Sequence, residues 1–259
     1  ENFIENKIKT DFKKKTKQYL GNKKSLILRN IDFAYDSKKI LDNISMDIKF
    51  GQTVGIIGPS GSGKTTLLNI ILGLIRSNKG DIKIDNLNLL EHLDEWRKSI
   101  GYVPQDTYLL DASIKKNIAF GVEDSEICNL KLEKAINFSQ NKKFIESLPD
   151  KLDTYVGDRG VRISGGQKQR IGIARALYND PDVLVMDEAT SNLDIENENK
   201  IIEEISKNKK NMTVIIISHR KNTVKNCDNI FLVQGGKLRE LGDFKKIQNI
   251  YENFFSENN

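Results

Sequence analysis

Three groups of residues in this sequence have types and spacings suited to phosphate chemistry. The first, Gly58-Pro59-Ser60-Gly61-Ser62-Gly63-Lys64-Thr65, fits G-x-x-x-x-G-K-[ST], the phosphate-binding P-loop. Glycines at 58, 61 and 63 let the backbone take positive φ and approach an anion, so that successive N–H groups converge on one set of oxygens. Lys64 adds a point charge that reaches terminal phosphates, and the Thr65 hydroxyl can ligate the accompanying Mg2+. The second group is Asp187-Glu188, which closes the apolar run Val183-Leu184-Val185-Met186. Such a run describes a strand buried on both faces of a parallel sheet, with its two carboxylates at the end where ligands bind. Asp187 suits a Mg2+ shell. Glu188 is placed to take a proton from attacking water, a role worth roughly 10²–10⁴-fold. The third group, Ser164-Gly165-Gly166-Gln167, opens a helical stretch and makes a second anion-seeking helix start.

The elements that must position these groups are legible on either side of them. Thr53-Val54-Gly55-Ile56-Ile57 reads as a strand feeding the P-loop, and Thr66 to Leu74 as the helix leaving it. Strand, glycine loop and helix in that order aim a positive helix terminus at phosphate. Residues 25–57 alternate well enough for further strands, with Ala34 to Lys39 as a hairpin connection; Tyr35, at its edge, can stack on a purine. Ile82 to Asp85 reads as a short strand, and Leu87 to Ser99 as partly helical with Trp96 in the core. Ile100 to Val103 reads as a strand stopped at Pro104, which leaves Gln105 on a loop. Residues 111–179 change to amphipathic helical segments, a helical insertion in an α/β domain. Thr213 to Ser218 is another buried strand with His219 at its tip, where an imidazole can hydrogen-bond a terminal phosphate. A helix over 195–208 precedes it, and a closing hairpin over 229–241 and a tail helix over 243–255 follow.

Composition excludes several classes. At 259 residues and 38% hydrophobic content, the chain can bury a full core. It holds no apolar run long enough to cross a bilayer, so the polypeptide as given is expected to be soluble, and its first twenty residues do not resemble a signal peptide. Cys128 and Cys227, far apart and without a metal motif, suggest reduced thiols and read as packing residues. The net charge of +5 is modest, but six lysines between Lys13 and Lys24 crowd the start. That run reads as a solvated linker or as a segment just inside a membrane, where lysines meet anionic lipid. No basic recognition helix or aromatic interleaving points to nucleic acid.

Over about residues 25–242 the sequence resembles the nucleotide-binding domain of ATP-binding-cassette transporters. The resemblance implies roles position by position. Tyr35 looks like the adenine-stacking aromatic, Gly58 to Thr66 the Walker A loop, and Gln105 the Q-loop glutamine that senses Mg2+. Ser164 to Gln167 looks like the signature motif, with Ile163 where leucine is usual. Asp187 and Glu188 resemble the Walker B pair, Ser191 to Asp194 the D-loop with Asn192 where alanine is common, and His219 the switch histidine. The stretches Thr154 to Gly160 and Leu109 to Ile118 are exporter-like, which favours an exporter or flippase.

The implied fold is a P-loop NTPase (RecA-like) core with a mostly parallel sheet, an N-terminal antiparallel β-subdomain, and a helical signature subdomain over about 111–180. A basic linker over 1–24 and a C-terminal helix over 243–259 flank it. The implied ligands are ATP and Mg2+, the ion held by Thr65, Gln105 and Asp187. The implied chemistry is hydrolysis by Glu188, His219, Gln105 and Lys64 in a head-to-tail dimer, in which Ser164 and Gly166 reach the partner's γ-phosphate; Gly165, Gln167 and Asp194 are also implied to bind nucleotide. The chain opens without methionine, and the expectation is that it was cut from a longer polypeptide with transmembrane helices upstream. It would then work at the cytoplasmic face of a bacterial inner membrane. A separate ATPase subunit, a soluble cassette acting on DNA or ribosomes, and a cassette that binds without hydrolysing are the alternatives. The 122 residues between Lys64 and Asp187 leave no room for the long coiled coil of chromosome-maintenance relatives, and intact Glu188 and His219 argue for hydrolysis.

Overall fold

The computed structural model describes residues 24–208 and 212–248. The basic run before Lys24 and residues 249–259 of the expected C-terminal helix lie outside them; within that tail, residues 244–248 are helical. The elements run β1 (Ser25–Tyr35), β2 (Lys38–Lys49), β3 (Thr53–Ile57), α1 (Lys64–Ile71), β4 (Lys79–Ile84), β5 (Leu87–Asn88), α2 (Leu93–Lys98) and β6 (Ile100–Val103). Then follow α3 (Ile114–Ile118), α4 (Asn129–Phe138), α5 (Lys142–Glu146), α6 (Gly165–Leu177), β7 (Val183–Asp187), α7 (Ile195–Asn208), β8 (Thr213–Ile217), α8 (Lys221–Val224), β9 (Asn229–Gln234) and β10 (Lys237–Gly242). They form two compact units, one of residues 24–50, 59–100 and 233–238, the other of the remainder.

The first unit carries an antiparallel sheet in the order β2-β1-β4-β5. Leu26, Leu28, Ile31 and Phe33 of β1 are buried, an alternation that slips once at Arg29-Asn30. There Asn30 takes φ 50 and its backbone N–H turns to the Ser45 hydroxyl, the signature of a bulge. The segment over 87–99, expected to be partly helical, is a two-residue strand, a 3₁₀ turn and α2. Trp96 is fully buried as expected, and its indole N–H donates to the Ile71 carbonyl at 2.8 Å, the partner a buried indole requires.

The second unit is built on a mostly parallel sheet in the order β10-β9-β3-β8-β7-β6. Strands β3, β7 and β8 are buried at every residue, which is why they read as continuous apolar runs and not as alternating ones. In this unit α3, α4, α6 and β7 share one core through Ile114, Ile118, Leu132, Ile171, Ile173 and Leu184. The residue that organises the helical insertion is the fully buried Asn117. Its amide binds the backbone N–H and C=O of Leu110, while Arg175 of α6 donates to its carbonyl at 2.7 Å and to Oδ1 at 2.9 Å. A Ser113–Tyr155 β-bridge also closes this insertion, so it is not wholly helical. The two cysteines differ. Cys227 packs in the core beside Gly55, as expected, but Cys128 is exposed because it sits on the loop entering α4.

Candidate functional site

In the first unit the loop from Pro59 runs into α1, and Gly63 is the N-cap with φ 104. A Cβ at Gly63 would lie 2.9 Å from Leu41 Cδ2 and 3.2 Å from the Ile40 carbonyl, so both space and backbone demand glycine. Gly61, at φ 73, has open space where a side chain would stand. Lys64 is 6% exposed, with Nζ donating to the Pro59 carbonyl at 2.9 Å. The Ser62 hydroxyl is buried and finds no hydrogen-bond partner among the described residues. An orphaned hydroxyl, an inward lysine and an open glycine backbone at a helix start fit an anionic ligand. Thr65 is exposed and Thr66 half-buried at the same turn. Tyr35 lies 49% exposed at the end of β1, braced edge-on by Phe33 at 4.8 Å between ring centroids, so its ring can receive a flat partner.

In the second unit three of the expected residues converge from separate segments. Glu188 follows β7, and its N–H donates to the Ile217 carbonyl of β8 at 3.0 Å. Its backbone is left-handed, φ 48, which costs a non-glycine residue on the order of 1–3 kcal/mol and occurs at constrained functional positions. Gln105 Nε2 donates to Glu188 Oε2 at 3.1 Å, and His219 Nε2 lies 3.2 Å from Oε1. One carboxylate is therefore gripped on both oxygens. Asp187, the last residue of β7, is 5% exposed. Burial pushes the Tyr102 phenol above its usual range, and the Asp187 charge adds to the effect.

The Ser164-Gly165-Gly166-Gln167 turn is a complete capping box. Ser164 Oγ accepts from the Gln167 N–H at 3.3 Å, while Gln167 Oε1 accepts from the Ser164 N–H at 2.8 Å. Asp194 caps α7: Oδ1 accepts from the Asn197 N–H and Oδ2 from the Asn197 amide. Those bonds hold its carboxyl below the usual carboxylate range.

Two links lay beyond what sequence reasoning singled out. Gln169 of α6, 1% exposed, donates to the Gln105 carbonyl at 3.2 Å and accepts from Asn192 at 3.0 Å, which ties the loop after β7 to the Gln105 loop. Arg220, next to His219, donates to Leu193 O at 2.9 Å, to Ser191 O at 2.6 Å and to the buried Glu198 at 2.6 Å; Thr223 donates to the other Glu198 oxygen at 2.5 Å. A signal for Glu198 was present. It shares the i, i+3, i+4, i+7 stripe of α7 with Ile201, Ile202 and Ile205, where a lone carboxylate needs a buried partner.

Comparison with known proteins gives one family and close relatives. The family model described as ABC transporter matches residues 41–191. The ATP-dependent lipid A-core flippase of Haemophilus influenzae is 38% identical over 228 residues, covering 87% of this chain and 39% of its own length. A multidrug resistance ABC transporter ATP-binding and permease protein of Lactococcus lactis is 34% identical over 239 residues, covering 90% of this chain and 40% of its own. A bacterial Atm1-family ABC exporter solved with ATP bound superposes with a TM-score of 0.84 at 33% identity, over 92% of this chain and 42% of that one. The chain thus spans about two fifths of the length of these relatives.

Proposed function

The chain belongs to the ABC transporter family, and on that premise we propose that it is the ATP-hydrolysing cassette of an exporter or flippase. Its fold, which combines an antiparallel β-subdomain sheet and a mostly parallel sheet with helices, is that of an ABC ATPase. The observation that carries the hydrolytic reading is the doubly held Glu188 carboxylate, fixed by Gln105 and His219 at the carboxyl end of a fully buried parallel strand.

In this reading the P-loop amides and Lys64 bind the β- and γ-phosphates, Tyr35 stacks on adenine, and Ser62 supplies its orphaned hydroxyl to the phosphate chain. Glu188 orients the attacking water and accepts its proton. His219 keeps the carboxylate in place and faces the γ-phosphate. Thr65, Gln105 and Asp187 would hold Mg2+, which offsets the phosphate charge when bound. A single chain carries one P-loop and one Ser164 capping box, and the reading requires a second cassette whose Ser164 and Gly166 complete the γ-phosphate site.

The relatives in which this sequence covers about two fifths of the length support transmembrane segments joined upstream, with the cassette at the cytoplasmic face of a membrane. Among the described residues no helix is long and apolar enough to cross a membrane. The test is phosphate release from ATP by the chain with and without Mg2+, beside a Lys64→Ala variant. Mg2+-dependent release that disappears with Lys64→Ala supports the reading; release indifferent to both overturns it.

A further inference from the structure

Arg170 lies on α6 beyond the capping box and is 9% exposed. A guanidinium brings five N–H donors into whatever site it occupies, and burying it without acceptors is costly. Its Nε is buried and finds no hydrogen-bond partner among the described residues. The carboxylate whose charge reaches it is Asp194, and both Asp194 oxygens are already engaged by Asn197. Asp194 thus offsets part of the guanidinium charge, while Nε is left without an acceptor among the described residues.

Arg170 also lines a cavity of about 410 Å³, within the ~300–1,000 Å³ typical of small-molecule sites. The other cationic walls are Lys142 and Lys143 of α5 and Lys200 of α7, and Asn137 and Gln140 add amides. Against these four cations stands one carboxylate, Glu196, which Lys200 already holds. Phe144 and Asn197 complete the lining, which carries three more positive than negative charges, offset in part by Asp194 beside Arg170. That excess of cations matches an anion carrying two phosphate groups, each about −1.5 to −2 at neutral pH.

We propose that this cavity binds a small soluble anion bearing two phosphates, whose oxygens accept from Arg170 while Lys142 and Lys143 neutralise them. The site is distinct from the P-loop and uses none of the residues assigned to hydrolysis, so it stands whether or not that assignment holds.

The probe is inorganic pyrophosphate, titrated calorimetrically into the 259-residue chain with its P-loop saturated by ADP. The expected result is one further equivalent bound, weakening as salt rises. Replacing Lys142 and Lys143 together by alanine should weaken it about tenfold or more and leave ADP affinity unchanged. Both lysines are exposed, so the folded state should survive the change. Arg170→Lys, which keeps the charge but loses the planar fork, should weaken it as well. No saturable binding at millimolar pyrophosphate overturns the proposal. So does binding that the lysine substitutions leave untouched, because the anion then sits elsewhere as an adventitious ion only.

Discussion

Gln105 and Glu188 stand 83 residues apart in the chain and are joined by a 3.1 Å hydrogen bond from the amide to the carboxylate. The bond aims one oxygen of a residue whose backbone is already held in the left-handed region. With Gln105→Ala the carboxylate loses one of the two side-chain contacts that hold it among the described residues, and small misplacements of a reacting group are expensive. The expected outcome is ATP turnover lowered by about 10- to 100-fold with nucleotide affinity little changed, read from steady-state hydrolysis beside equilibrium binding.

Arg220 is the cation that keeps Glu198 tolerable inside the second unit. The Glu198 side chain is 2% exposed and that of Arg220 34%, so the pair is buried on one side and partly wet on the other. Removing the arginine leaves Thr223 as the remaining partner of a buried charge and releases the Ser191 and Leu193 carbonyls. Arg220→Ala should cost about 2–3 kcal/mol of stability, less than the ~3–5 kcal/mol of a fully buried broken pair because solvent screens the arginine side. Arg220→Lys should recover part of it, since lysine restores the charge without the fork. Urea unfolding of the three chains measures both.

Asn192 occupies the position where alanine is common in the resembled family, and here it has a partner. Its amide donates to Gln169, whose other end reaches the Gln105 carbonyl. Asn192→Ala would strand a buried acceptor and should destabilise the chain by about 1–2 kcal/mol. Combining it with Gln169→Leu should cost less than the two single changes added together, because the leucine removes the stranded group. Additive effects from a double-mutant cycle would show that the contact carries no energy.

Tyr102 gives a pH signature with a definite sign. Its folded pKa is raised, first by burial and then by the Asp187 charge. Its contribution is therefore fully present below the unfolded tyrosine value of about 10. It is lost as pH rises through the folded value, because the unfolded chain ionises first. Tyr102→Phe should flatten the fall in stability between about pH 9 and about pH 11, read as the change in urea midpoint. An unchanged slope would place the alkaline sensitivity in other residues.

Much of this arrangement was legible because it depends on local spacing. The P-loop, the apolar run ending in Asp187-Glu188, the Ser164 capping box and the 195–208 helix are each set by residues within a few positions of one another. The hairpin after β9 is likewise marked by Gly235-Gly236. Partnerships across the chain were harder to see. Periodicity tells which face of α7 is buried but not that Arg220 answers Glu198, and it marks Gln169 only as part of a polar helix start. Cys128 was misread for the same reason: an apolar residue type beside α4 does not reveal that the loop carrying it turns outward.

If Glu188 drives hydrolysis in a site that two chains build together, turnover must depend on how often chains meet. The most direct measurement is specific ATPase activity against protein concentration, for the parent chain and for Glu188→Gln, with sedimentation of each in ATP. Predicted are activity per chain that rises with concentration, turnover about 10²–10⁴-fold lower in Glu188→Gln, and an ATP-trapped dimer of that variant. Activity per chain that is constant with concentration, together with a Glu188→Gln variant that stays monomeric in ATP and still hydrolyses it, would rule out both the shared site and the role of Glu188.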